Sequence, residues 1–140
     1  MKKRIAGILS VLTVLGLLAV PLAAQTHRFK ADIPFEFTAG GKVMPAGEYE
    51  IVLREDLSGV TRLHAVDAKE SAVVLGHGIG GGERQEDSRL TFNKYDNQYF
   101  LAEVWVQGLN TGLGFQKSRA EREVSRTASA RQTFTLMAKR

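Results

Sequence analysis

His27-Arg28-Phe29-Lys30-Ala31-Asp32-Ile33-Pro34-Phe35-Glu36-Phe37 alternates with a period of two. His27, Phe29, Ala31, Ile33, Phe35 and Phe37 share one side, and Arg28, Lys30, Asp32, Pro34 and Glu36 the other. Successive side chains of a strand point to opposite faces, so the stretch predicts a half-buried strand. Pro34 has no N–H to give to a ladder, which places the strand at a sheet edge or takes it out of the sheet at that point.

The same period recurs downstream. Tyr49, Ile51 and Leu53 alternate with Glu48, Glu50 and Val52 over Glu48 to Arg54, predicting a second strand with one wetter face. It follows a turn at Ala39 to Lys42 and another at Met44-Pro45-Ala46-Gly47, where proline presets φ and glycine closes the bend. After a turn at Asp56 to Gly59, Val60 to Val66 and Ser71 to His77 are further strands, joined by Asp67 to Glu70. Gly76 to Gly82 holds five glycines in seven residues, and Glu83 to Arg89 is strongly polar. Gly78 to Arg89 is therefore expected to be a long exposed loop, of a length found mostly where loops move or carry function.

Leu90 to Tyr95 and Gln98 to Gln107 predict a hairpin around Asp96 and Asn97, residues that tolerate left-handed backbone. Its second arm, from Tyr99 to Val106, is apolar on both faces apart from Glu103, the pattern of a central strand. Ser118 followed by Glu121 reads as a capping box opening a helix over Arg119 to Arg131, with Ala120, Val124 and Ala128 on its packing stripe. Thr133 to Ala138 alternates again as a last strand. The sum is a single, mainly antiparallel all-β domain of about seven or eight strands, a β-sandwich or β-barrel, with one C-terminal helix. Periodicity alone does not choose between sandwich and barrel.

The amino end has a different character. Lys2, Lys3 and Arg4 precede Ile5 to Val20, whose only polar members are Ser10 and Thr13, and then Pro21 and Leu22-Ala23-Ala24. This is the order of a secretory signal peptide, predicting cleavage between Ala24 and Gln25 and leaving Gln25 to Arg140 as the mature domain. The apolar run is short for a permanent span, which needs about 20 residues. A lipid anchor of the lipoprotein type would need a cysteine, and the chain has none. The expected location is the periplasm or the exterior of a bacterial cell, with no disulfides and no thiolate chemistry.

Removing Lys2, Lys3 and Arg4 from the 19 basic residues leaves 16 against 15 acidic ones, so the mature chain is nearly neutral. Nucleic acid is not an expected partner. The remaining positive charge gathers in Lys117 to Arg140, with seven basic and two acidic residues. That segment could meet an anionic surface or another envelope component, although Glu121 and Glu123 interrupt it in the manner of an ordinary solvated helix face.

Chemical motifs are weak. Gly76, Gly78 and Gly81 satisfy G-x-G-x-x-G, but Glu83-Arg84-Gln85-Glu86-Asp87 follows where a dinucleotide site needs an apolar helix, so no cofactor is expected. His27, His64 and His77 lack ligand spacing, and no metal is expected. Ser58, Ser71 and Ser88 sit in no nucleophile elbow, so no catalytic residue is assigned. Glu48 with Glu50 and Glu121 with Glu123 fall on faces expected to be exposed. Glu103 needs a partner in its apolar strand, and Lys94 is a cross-strand candidate. Trp105, Tyr99, Phe100, Phe92 and Tyr95 concentrate in one hairpin, normally as core. In an open-mouthed barrel Phe92, Tyr99 and Trp105 would be the cavity-lining candidates.

Two stretches, Ile33-Pro34-Phe35-Glu36-Phe37 through Pro45-Ala46-Gly47-Glu48-Tyr49, and Tyr99-Phe100-Leu101-Ala102-Glu103-Val104-Trp105 with Lys117-Ser118-Arg119-Ala120-Glu121-Arg122-Glu123, resemble a family of small exported bacterial proteins of unknown function. The resemblance covers most of the mature chain and implies no activity, cofactor or catalytic residue. The expected function is non-enzymatic: binding or structural interaction in the envelope, through the Gly78 to Arg89 loop or the basic helix. A small apolar-ligand carrier is the first alternative, and a hydrolase built around His64 or His77 the second.

Overall fold

A computed structural model describes residues 25–54 and 59–139; the expected signal peptide, its expected cleavage after Ala24 and most of the turn expected at 56–59 lie outside them. The elements are β1 (Thr26–Ile33), β2 (Phe37–Ala39), β3 (Lys42–Met44), β4 (Gly47–Arg54), β5 (Val60–Ala65), β6 (Ser71–Gly80), β7 (Arg89–Tyr95), β8 (Gln98–Trp105), β9 (Thr111–Phe115), α1 (Arg119–Thr127) and β10 (Arg131–Met137). Among the described residues the fold is all-β with one helix, as the alternating segments predict.

Pro34 ends β1, and the alternation resumes as the separate strand β2, so one predicted strand becomes two. Lys42 and Met44, expected in the two flanking turns, join Val43 in β3, which hairpins back on β2. The larger difference lies in the glycines. Residues 78–80, expected in a loop, continue β6, and residues 76–80 pair with β9, a strand that the alternation does not predict. Glycine fits because neighbouring rings occupy the space a side chain would take. A Cβ on Gly76 would lie 2.9 Å from Cε1 of Phe115, and one on Gly112 would lie 2.7 Å from Cδ2 of Trp105.

The strands form one sheet that folds back on itself. β4 pairs antiparallel with β1 and β5; β6 pairs with β5 through Ser71–Leu75 and with β9 through Gly76–Gly80, carrying the chain from one half of the sheet to the other. β8 then pairs with β9 and β7, and β7 with β10. β2 fills the edge of β8 that β9 leaves free, through one parallel bridge between Thr38 and Phe100. The outer strands meet where the Lys139 N–H donates to the Lys30 carbonyl at 2.8 Å. The result is a barrel-like closure with a thin seam between β10 and β1. Ionic contacts bridge that seam: Glu48 accepts from Lys30 at 3.2 Å and from Lys139 at 2.5 Å.

The inward faces supply the core: Ala31 and Ile33, Tyr49 and Ile51, Leu63, Val74, Leu90 and Phe92, and Leu101 and Val104. Each fully buried large apolar side chain contributes roughly 1.5–3 kcal/mol. Thr91 faces Glu103 and Phe92 faces Leu101, so Ala102 is the extra residue of a β-bulge. The bulge shifts the alternation of β8 by one, turning Leu101 and Val104 inward and sending Glu103 and Trp105 to the outer face.

Helix α1 lies over that outer face. Ser118 is its N-cap, and its hydroxyl accepts from the Glu121 N–H at 3.1 Å. The reciprocal half of the predicted capping box is absent, because Glu121, expected on a solvated face, is 3% exposed. Its carboxylate instead accepts from Asn93 Nδ2 at 2.8 Å and from the Tyr95 hydroxyl at 3.2 Å. The helix also stops at Thr127, and Ala120 of the expected packing stripe is exposed.

Candidate ligand cavity

The inner face of β6 runs Ala72, Val74, Gly76, Gly78, so its side chains shrink to nothing toward one end of the barrel. Phe115, opposite Gly76 in register, fills the first gap. Nothing fills the second: a Cβ at Gly78 would meet no atom within 4 Å. A cavity of about 520 Å³ opens there, walled by Leu53 from β4, Leu113 from β9, and Val106 and Leu109 from the connection between β8 and β9, with His27 and Arg54 at its edge. The Gly59 carbonyl at its rim accepts from the Gly76 N–H at 2.9 Å. Gly59 has φ +92°, and a Cβ on it would sit 2.1 Å from the Gly76 carbonyl oxygen.

A second recess of about 500 Å³ adjoins the first, sharing His27 and Val106 with it. Its walls are polar, with Arg28, Glu86, Asp87, Gln107 and Lys139, and it follows the seam between β1 and β10. The Ser88 hydroxyl is committed there as acceptor of the Gln107 N–H at 2.9 Å. An apolar chamber and a charged vestibule thus lie side by side.

The three residues expected to line a ligand cavity do not converge. Phe92 is fully buried in the core. Tyr99 stacks on Phe35 at 3.8 Å between ring centroids, beside a shallow depression of about 180 Å³. Trp105 lies on the outer face, its ring against Gly112 and Gly81, with Arg89 over it at 5.0 Å. Strict alternation would have put Trp105 on the face of Tyr99 and Leu101, and the Ala102 bulge reverses it. Trp105 Nε1 donates to Glu103 at 2.8 Å, which gives that carboxylate its partner; Lys94, the expected one, stands over the Tyr99 ring instead.

The loop expected over Gly78 to Arg89 shortens to residues 81–88, and it is not free. Gly81 N–H donates to the Asn110 carbonyl, Gln85 N–H to Leu109, and Gly108 N–H to Gln85, each at 2.9 Å.

His27 and His77 both border the apolar cavity, and His27 borders the second recess as well; the His77 ring also lies beside Gly114, where a Cβ would meet its Nε2 at 3.3 Å. His64 is exposed, with Glu50 and Ser71 as its register partners on either side. This Glu50, His64, Ser71 row sits outside the two end cavities, and no hydrogen bond joins its side chains among the described residues. No group of three or more metal-ligating residues occurs among the described residues, nor any helix long and apolar enough to cross a membrane.

No family model, curated protein or solved structure matches this chain.

The residues behind the sequence resemblance have structural work. Tyr49, which follows Pro45-Ala46-Gly47, is fully buried, its ring edge meets Phe37, and its hydroxyl donates to the Pro45 carbonyl at 2.6 Å. Burial, reinforced by Glu70, pushes its phenol above the ordinary tyrosine range. Glu103 holds the Trp105 indole, and Glu121 anchors α1. These positions specify the fold, and the cavity lies elsewhere. Its sequence signal was the inward register of Gly76 and Gly78 after Ala72 and Val74, legible only once β6 is known to continue.

Proposed function

We propose that this protein is an exported, non-enzymatic binding domain of the periplasm or cell exterior that carries a small amphipathic molecule in its end cavity. The observation behind the reading is the chamber at Gly78, about 520 Å³ with aliphatic walls and room for a side chain that the sequence leaves out. Volumes of roughly 300–1,000 Å³ with mostly apolar linings are typical of small-molecule sites, and barrel mouths are a frequent location. The ligand's apolar body occupies the chamber, and its polar end reaches the adjoining recess lined by Glu86 and Lys139. Export rests on the Lys2 to Ala24 signal, and no catalytic group, metal or cofactor enters the reading.

The test is titration of purified protein with a fluorescent fatty-acid analogue. Saturable one-to-one binding, competed by unlabelled long-chain amphiphiles, supports the reading. Emission that stays at its free-probe level across a panel of anionic, cationic and zwitterionic amphiphiles refutes it.

A further inference from the structure

A different feature lies on the opposite face of the β7–β8 hairpin, under α1. Lys117 precedes the N-cap Ser118 and Arg131 opens β10 after the helix, so the two are fourteen positions apart in sequence. Tyr95 brings them together. Lys117 Nζ lies 5.8 Å from the Tyr95 ring centroid, and Arg131 is the direct register partner of Tyr95. Directly opposed residues of an antiparallel pair share a face with Cβ atoms about 4.5–5.5 Å apart, so the Arg131 side chain rises beside the same ring. Both line a cleft of about 300 Å³, together with Ser125 of the helix.

What marks this cleft is unspent charge. Neither Lys117 nor Arg131 makes an ion pair among the described residues, whereas Arg119 is engaged by Glu123 at 3.3 Å and Lys30 and Lys139 by Glu48. The carboxylate nearest Tyr95, Glu121, is buried beneath and already accepts from Asn93 and the Tyr95 hydroxyl. The Ser125 hydroxyl proton is directed to the Arg122 carbonyl at 2.9 Å. Two negative influences oppose an anion here, the buried Glu121 and the carbonyl end of α1. Against them stand two full cations among the lining of one concavity, one of them a guanidinium whose fork matches an oxyanion bidentately.

We propose that the cleft between α1 and the start of β10 binds a phosphoryl or sulfuryl oxyanion, with Lys117 and Arg131 as its two cationic contacts. The anion is carried by a soluble phosphate ester or by the headgroup of an anionic lipid, and the site is independent of the end cavity.

The experiment is an amide NMR titration of the purified protein with inorganic phosphate at low salt. In parallel, the protein is sedimented with phosphatidylcholine vesicles prepared with and without phosphatidylglycerol. Saturable shifts confined to Tyr95, Ser125, Arg131 and their neighbours are expected. Lys117→Ala and Arg131→Ala should each weaken phosphate binding about tenfold or more, the usual effect of losing one charge-assisted contact. Arg126→Ala, with the same change of net charge outside the cleft, should leave it unchanged. Sedimentation only with phosphatidylglycerol, lost in the Lys117 and Arg131 variants, assigns the lipid headgroup; localised phosphate binding without sedimentation assigns a soluble ester. Shifts that never saturate, or equal weakening by Arg126→Ala, overturn the proposal by reducing the effect to general surface charge. Unchanged amide spectra of the ligand-free variants show that folding is intact.

Discussion

Gly76 and Gly78 occupy the same face of β6 two residues apart, yet replacing them should have opposite consequences. At Gly78 the backbone is ordinary strand and a Cβ meets open space, so Gly78→Leu projects an aliphatic side chain into the chamber. Loss of glycine's unfolded-state freedom stabilises by about 0.5–1 kcal/mol. Partial burial against Leu53 and Leu113 adds a comparable amount, since full burial is worth about 1.5–3 kcal/mol. The ligand-free variant should therefore be more stable by about 1–2 kcal/mol, which for a domain of this size raises Tm by about 4–8 °C. At Gly76 a Cβ would lie 2.9 Å from the Phe115 ring and 3.0 Å from the Gly114 carbonyl oxygen. Gly76→Ala should cost about 1–3 kcal/mol through overpacking. Calorimetry with binding of the fluorescent amphiphile checks both. Gly78→Leu should melt higher and bind at least tenfold more weakly, and Gly76→Ala should melt lower while keeping whatever affinity its folded fraction shows. A destabilised Gly78→Leu, or one binding as wild type does, refutes the placement of the ligand in this chamber.

Two further outcomes follow from the buried and seam carboxylates. Glu121→Ala leaves Asn93 and Tyr95 without their acceptor and should destabilise by about 2–5 kcal/mol in urea unfolding, while adding Tyr95→Phe recovers part of the loss because one stranded donor is removed. At the seam, hydrogen bonds from Lys139 and then Lys30 lower the Glu48 pKa, and Glu48 raises that of Lys139. The carboxylate's contribution is therefore complete above its ordinary pKa near 4.5 and fades as pH falls through its lowered folded value. The ammonium's contribution is complete below about 10.5 and fades as pH climbs through its raised folded value. Hydrogen exchange should show the Lys139 amide opening first under acid, and Glu48→Gln should abolish that pH dependence.

The sequence carried the strands whose two faces differ. Phe29 to Ile33 and Tyr49 to Leu53 alternate because one side is core and the other solvent, and Asp96, with φ 52°, marked its hairpin turn. Ser118 announced α1 through local geometry alone. What stayed hidden depends on partners remote in sequence. Glycines at 76, 78, 112 and 114 resemble loop residues until Phe115, Ile79, His77 and Trp105 are seen to occupy the space beside three of them. The Ala102 bulge leaves no mark in composition, yet it decides that Trp105 faces away from the core. Glu121 looked solvated because its partners, Asn93 and Tyr95, stand more than 25 residues upstream. A cavity formed by the absence of a side chain at Gly78 has no residue of its own to announce it.

The central claim is that the end cavity holds a small molecule in the exported protein. Native mass spectrometry of the protein purified from its own cell envelope, compared with the same sample after denaturation, tests it most directly. The account predicts a chain beginning at Gln25 with an additional noncovalent mass that denaturation releases and that the Gly78→Leu protein lacks. The same additional mass on the Gly78→Leu protein, or a bare polypeptide from an envelope preparation never exposed to detergent or organic solvent, would contradict it.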